Sequence, residues 1–417
     1  MKRIYVIPLI LLGCTPYKIT SDYSSDTGAN EVIHSDGTNC EIDPFGEELT
    51  TFELTFSDPT EKALFEAPSS CEDPVKVNAD LTISNAREVC QYENIQLRKK
   101  GDTTCAYNVL SNKPSIKIHF AEGDSLSGLE NITLENNMMD ASGLSYILAS
   151  NFFNNFGAKY NSYIVGPKSG SAIFVYEGHK YSTPSTVIEP VTTKSFLESA
   201  FNVDFDEENM VLYDGLVDFN SSKLEFLYVC NEGRCDAAPL DALLEIASSE
   251  ENYSTKLDRL SRYLALPTIL SYMAAEISIN HWDGYISNNN YGLFYMGSDV
   301  SYIGETPYDK FYFIPSGLDL TFNESYAETT SPNMAMNYLT QLCLSSQDCM
   351  NLYANTLNQT ADLFEQTVEN DYNNHLNVLS ENFDLPSYAL YNRELFIHNQ
   401  PDRLRHYAAQ LRSGFSP

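Results

Sequence analysis

An acid followed closely by amides, and later by a second acid, is a set that phosphoryl transfer uses: one carboxylate orients the attacking hydroxyl, while an amide and another carboxylate hold Mg²⁺. Such a set lies between Asn280 and Phe322. It begins with His281-Trp282-Asp283-Gly284-Tyr285-Ile286-Ser287-Asn288-Asn289-Asn290-Tyr291 and resumes with Ile314-Pro315-Ser316-Gly317-Leu318-Asp319-Leu320-Thr321-Phe322. A metal held there would bridge phosphate oxygens and neutralise charge developing in the transition state. Taken alone, Asp283 followed by Asn288 is also an ordinary turn pattern, so the surrounding segments must decide.

Those segments read as an α+β architecture. Tyr291 to Tyr295 and Phe311 to Ile314 are expected strands, which puts each acid near a strand end. Upstream, Ile95 to Arg98, Ser115 to Phe120, Ser162 to Val165 and Ala172 to Tyr176 read as further strands. Leu144, Ile147, Leu148, Phe152 and Phe156 recur at helical spacing behind Asp140 or Ser142 as cap. A helix opening near Thr192 carries Phe196, Leu197 and Phe201. The first half is therefore mixed α and β. The second is mainly helical, with apolar spacing in Leu240 to Ile246, Leu257 to Leu264 and Ile269 to Ile279, and late helices at Met350 to Val368 and Pro401 to Leu411.

Before this comes a small β-rich region, 40–93, with cysteines and pieces such as Thr51-Phe52-Glu53-Leu54-Thr55-Phe56; the main domain is expected over 94–417. Residues 14–39 are rich in Ser, Thr, Asp and Gly and read as a flexible stalk. At the start, Lys2 and Arg3 precede an apolar run from Ile4 to Leu12, too short to span a hydrocarbon core of ~30 Å, so 1–13 read as a cleaved export signal. Leu11-Leu12-Gly13-Cys14 resembles the bacterial lipobox, which implies lipidation at Cys14 and a cell-envelope location with the chain held to membrane, at the outer membrane or cell surface.

Composition limits the partners. With 25 basic and 57 acidic residues and a formal charge of −32, the chain is a poor match for nucleic acid or for electrostatic adhesion to anionic lipid. Nine cysteines leave an even number once Cys14 is set aside, and export makes disulfides the expected use. Cys230 with Cys235, and Cys343 with Cys349, have spacings that suit local clips. Zinc is disfavoured because neither pair is Cys-x-x-Cys. The pairing of Cys40, Cys71, Cys90 and Cys105 is left open.

Over roughly 94–412 the chain resembles the spore-coat CotH kinase-like family. The resemblance rests on Leu97-Arg98-Lys99-Lys100-Gly101-Asp102, the basic strand Lys113 to Phe120, and Asn131-Ile132-Thr133-Leu134-Glu135-Asn136-Asn137 with Asp140 and Ser142. It continues through Ile188-Glu189-Pro190-Val191 to Asp283–Tyr295 and Phe311–Phe322. It implies an atypical protein-kinase-like fold that uses ATP and Mg²⁺ (or Mn²⁺) to phosphorylate serine in a protein substrate. Asp283 would be the catalytic base, and Asn288, Asn289 or Asn290 would hold metal with Asp319. Lys117 or Lys113, and Lys100, would contact phosphates, with Glu189 positioning a lysine.

Two departures stand out. Pro315-Ser316-Gly317-Leu318-Asp319 replaces the family's Pro-Trp-Asp-x-Asp, removing an acid and the tryptophan, and Ser145 stands where the family often has arginine. The alternatives are therefore a catalytically inactive pseudokinase binding an envelope protein or polymer, or a hydrolase using Asp283 and Asp319 as paired carboxylates.

Overall fold

Alternation of apolar and polar residues along several strands builds much of the first half. In the computed structural model, residues 33–36, 40–68, 74–101, 109, 112–160, 163–206, 208–215, 227–228, 238–287, 289–297, 310–330 and 337–413 are described. One sheet contains β1 (Ile33–Asp36), β2 (Thr50–Thr55), β3 (Lys76–Ser84), β4 (Glu88–Lys100), β5 (Ser115–His119), β6 (Asn131–Glu135), β7 (Ser169–Tyr176), β8 (His179–Lys180) and β9 (Ser185–Ile188). Helix α1 (Pro59–Glu66) lies between β2 and β3, and α2 (Ser145–Tyr160) between β6 and β7.

The order β4-β3-β2-β7-β9-β6-β5 returns to its start because β5 also pairs with β4, so seven strands close into a barrel. Closure removes open edges, and the period of two divides each strand between lumen and outer face. Phe52, Ile83, Leu97, Ile118, Leu134 and Phe174 fill the lumen with almost no exposure. Ile173, Val175 and Ile188 point outwards and join the large helical core with Phe152 and Phe156 of α2.

The next elements are α3 (Lys194–Phe201), β10 (Met210–Gly215), β11 (Leu227–Tyr228), α4 (Ala238–Ser248), α5 (Tyr253–Leu260), α6 (Leu266–Ser278), β12 (Tyr291–Met296) and β13 (Lys310–Pro315). An antiparallel sheet of order β11-β10-β12-β13 covers α3 on one face, through Leu212, Phe294 and Ile314 against Phe196 and Phe201. Its other face sends Tyr213, Leu293 and Phe313 into the helical core. Helix α6 is buried at every residue from Thr268 to Ser278, so apolar and small residues surround it on all sides. Then α7 (Tyr338–Leu344), α8 (Gln347–Ser380) and α9 (Ser387–Ser413) follow, with α8 and α9 packed along one another.

The α+β reading and most predicted elements are present, with four differences. A boundary at 93/94 falls inside β4, and strands from the cysteine-containing region share the barrel with β5 to β9. Ile33–Asp36, within the expected stalk, pairs parallel with β4. The part of the strand expected at 162–165 that is described, 163–165, is a turn and coil. Pro401, expected to open a helix, lies inside α9, where it and Gln400 are buried and Gln400 Nε2 donates to Ile277 O at 2.8 Å. Packing on both sides of the proline outweighs its lost backbone bond.

Disulfides join Cys40 to Cys90 and Cys343 to Cys349. Cys14, Cys71, Cys105, Cys230 and Cys235 lie outside the described residues. Among the described residues no helix is long and apolar enough to cross a membrane.

The alternation gives a direct test on neighbouring residues of β5. Ile118→Ala, in the closed lumen, should lower unfolding free energy by about 2–4 kcal/mol, whereas Lys117→Ala on the outer face should cost under about 1 kcal/mol, both read from urea denaturation. Equal losses would contradict the inside–outside assignment.

Candidate functional site at the junction of barrel and helical layer

The site is built around a carboxylate that does not itself reach solvent. Glu276, on α6, has no exposed surface. Its oxygens accept from the backbone N–H of Tyr285 and of Ile286, each at 3.0 Å, and Oε1 lies 3.2 Å from His281 Nδ1. These bonds wind the loop after α6 into a tight shape. Gly284 is required there, because a Cβ would fall 2.2 Å from His281 Nδ1 and 2.5 Å from Glu276 Oε1.

The same loop is zipped to the segment after β13. His281 Nε2 lies 3.3 Å from Gly317 O, Ser316 N donates to Asn290 O at 3.3 Å, Phe322 N donates to Ile279 O at 2.7 Å, and Asn280 Nδ2 donates to Asn323 O at 2.8 Å. Asp283 and Asp319 are thus carried on two segments held side by side. Phe322 takes φ +54, rare for an aromatic residue, while its buried ring packs against Phe364 and Phe396. Strain of order 1–3 kcal/mol concentrates at sites where surrounding packing over-determines the backbone.

Asp283 is held by amides. Its Oδ1 accepts from Asn289 Nδ2 at 2.9 Å and its Oδ2 from Asn290 Nδ2 at 2.6 Å, which leaves the Asn290 amide oxygen as a donor for a cation. Asn288 lies outside the described residues. Gly317 takes φ +63, and a Cβ on it would fall 2.7 Å from Asn290 Nδ2. An acid at 317 would therefore displace the asparagine that fixes Asp283.

On the barrel side, Lys100 at the end of β4 stands opposite Ser115, and Glu135 ends β6 beyond it. Lys100 Nζ lies 2.5 Å from Glu135 Oε1, and Ser115 Oγ donates to Glu135 Oε2 at 2.7 Å. Desolvation works against both charges, but each holds the other ionised: Lys100 is raised above the ordinary lysine range and Glu135 falls below the usual carboxylate range. Asp319, in the short turn Leu318–Leu320, feels this pair. Burial pushes its carboxyl up to about 6, with the Glu135 charge adding to the rise, Lys100 opposing it and Asp140 adding a little.

Asp319, whose ionisation burial and the Glu135 charge disfavour, is a fitting ligand for a divalent cation, and the donors present are hard oxygens suited to Mg²⁺ or Mn²⁺. Asp319 and the Asn290 amide oxygen are the residues that would hold it.

Lys113 and Glu189, expected to contact phosphate and to position a lysine, have these surroundings. Lys113 is buried, with Nζ donating to Thr183 O at 2.9 Å and Pro184 O at 2.5 Å, and burial drives its ammonium well below the ordinary range. Glu189 accepts from the backbone N–H of Lys168 at 3.2 Å, and burial raises its carboxyl. Lys117 lies on the same outer face of β5 as Ser115. Glu135 had been read only as part of a strand; its role depends on strand register, which no local pattern in β6 reveals. Ser145, where arginine was expected, instead accepts from Arg393 NH2 of α9 at 2.6 Å.

Asp319 gives the site a pH signature. Its folded carboxyl keeps a proton to about pH 6, whereas the unfolded one releases it near 3.8, so its contribution to stability is present at low pH and lost as pH rises through 6. Asp319→Asn should raise the urea midpoint relative to the parent at pH 7.5, with the gain shrinking towards pH 4. A midpoint lowered at pH 7.5 would contradict this assignment.

No curated protein matches the chain. The family described as CotH kinase protein matches residues 97–413, which takes in Lys100, Glu135, Asp283, Asn290 and Asp319 and leaves β1, β2, β3 and most of β4 outside the match. The chain belongs to the CotH kinase family.

Proposed function

We propose that the chain is a kinase-like phosphotransferase that moves phosphate from ATP to a serine of a protein substrate, on an atypical protein-kinase-like fold. What supports this reading is the meeting, at Gly317, of the Asp283–Asn290 pair with the turn bearing Asp319, beside the Lys100–Glu135 ion pair. Asp283 takes the serine proton. Lys100, oriented by Glu135, contacts the phosphates, with Lys117 on the same barrel face as a second contact. Asp319 and Asn290 hold Mg²⁺ or Mn²⁺, which when bound supplies charge neutralisation at the transferring phosphoryl group. In the same reading the protein is lipidated at Cys14 and faces its protein substrate or envelope partner at the outer membrane or cell surface.

Gly317 favours a second reading. With no acid at that position and no room for a Cβ beside Asn290, one metal ligand expected from the family resemblance is missing. A pseudokinase that binds an envelope partner on this scaffold follows if Asp319 alone cannot retain the metal.

Labelled-phosphate transfer from ATP with Mg²⁺ or Mn²⁺ decides between them. The kinase reading predicts incorporation into an added serine-containing protein, falling about 10²–10⁴-fold in Asp283→Ala, the range of a lost general base, and falling likewise in Asp319→Ala. Absence of both incorporation and metal-dependent ATP binding would leave the pseudokinase.

A further inference from the structure

We propose that Arg393, on α9, is a positioning residue for the candidate metal ligand Asp319, acting through Ser145 and Thr321 on the turn that carries it. The proposal rests on the kinase-like reading only in the role given to Asp319; the mechanical link is argued from the hydrogen bonds.

Arg393 is 5% exposed, although it belongs to an exposed-faced helix more than two hundred residues away in sequence from the groups it meets. Its guanidinium lies 3.1 Å from Asp140 Oδ1, donates to Ser142 Oγ, and donates to Ser145 Oγ at 2.6 Å. Asp140 is tied down in turn, accepting from Ser145 N at 2.6 Å and from Ser142 Oγ at 2.5 Å. The start of α2 is thereby clamped between an acid and an arginine.

The direction of the hydroxyl bonds extends this clamp to the turn that bears Asp319. Arginine has donors only and stays charged in proteins. With Arg393 occupying a lone pair of Ser145 Oγ, the serine proton is directed onward, and it goes to Thr321 O at 3.1 Å. The Thr321 hydroxyl returns the contact: Oγ1 lies 2.8 Å from Leu318 O and 3.2 Å from Ser145 O, sharing its one proton between the two carbonyls. Leu318 and Thr321 flank Asp319 and Leu320. The turn bearing the candidate ligand is closed by Thr321 and fastened to α2 by Ser145, whose hydroxyl Arg393 orients.

A cavity of about 90 Å³ borders this chain of bonds, with Asp319, Asp140, Ser145 and Arg393 in its wall and exposed Tyr388 and Met139 at its side. The turn is therefore not packed solid on this side. Hydrogen bonds, in place of close-packed apolar contacts, must fix its position there.

The test uses the full chain with Arg393→Lys, Ser145→Ala and the double variant. Lysine keeps a positive charge for Asp140 but lacks the fork that reaches both serines, and alanine at 145 removes the hydroxyl that joins Arg393 to Thr321 O. Amide hydrogen exchange at Leu320, Thr321 and Phe322 is compared with exchange at Leu97 and Ile118 in the barrel. Each single variant should speed exchange in the turn by about ten-fold, the scale of one charge-assisted hydrogen bond, with the barrel unchanged. The double variant should do little more than either single one, because both break the same link. Unchanged turn exchange, equal acceleration in the barrel, or full additivity would each overturn the proposal. Mn²⁺ titration of the same proteins separates the two levels: weaker binding in both single variants supports the positioning of a metal ligand. If the parent binds no Mn²⁺, the metal role of Asp319 fails, and with it the positioning of a metal ligand.

Discussion

A carboxyl group with no exposed surface must have its oxygens met by nearby donors, and Glu276 meets that demand by winding the loop of the candidate site around itself. The N–H groups of Tyr285 and Ile286 point at its oxygens, with His281 beside them. That arrangement fixes where Asp283 sits, requires a glycine at 284, and directs His281 Nε2 at Gly317 O on the neighbouring segment. Removing Glu276 would leave buried N–H groups without acceptors in a region where each such loss costs about 1–3 kcal/mol. The candidate base and metal ligand thus depend on a residue that touches neither substrate nor metal.

The barrel supplies the other half through register. Closure of β4 on β5 sets Lys100 opposite Ser115, and the pairing of β5 with β6 brings Glu135 to the same outer face. A one-residue slip would send Lys100 towards the lumen, among Leu97, Ile118 and Leu134. The apolar filling of the barrel is therefore what places the ion pair. Its outer face is finished by α2, which packs Phe152 and Phe156 into the helical core and is fastened at its start by Asp140 and Arg393.

Much of this was legible in the sequence where the information is local. The period of α2, the strands β12 and β13, the alternating pieces of β2 and β5, and the Asp283 and Asp319 segments all carry their signal within a few residues. What escaped depends on long-range pairing. Glu135 gains its role from two strand registers, Arg393 from the docking of α9 onto α2, and the shared barrel from the pairing of β2 with β7, more than a hundred residues apart. Lys113 was expected at the phosphates from the family resemblance of its basic strand. Its side chain instead caps the carbonyls of Thr183 and Pro184. Glu189, expected to position a lysine, meets the backbone N–H of Lys168, a neighbour that a glutamate at a strand exit does not announce.

On the proposed reading, Asp319 and the Asn290 amide oxygen, beside Lys100 and Glu135, form one metal and phosphate site. Anomalous diffraction from crystals grown with Mn²⁺ and a non-hydrolysable ATP analogue tests it most directly. The expected result is a manganese peak bonded to Asp319 and Asn290, with phosphates on the Lys100 side. A peak bound elsewhere, or an ordered nucleotide with Asp319 making no contact to metal, would contradict it.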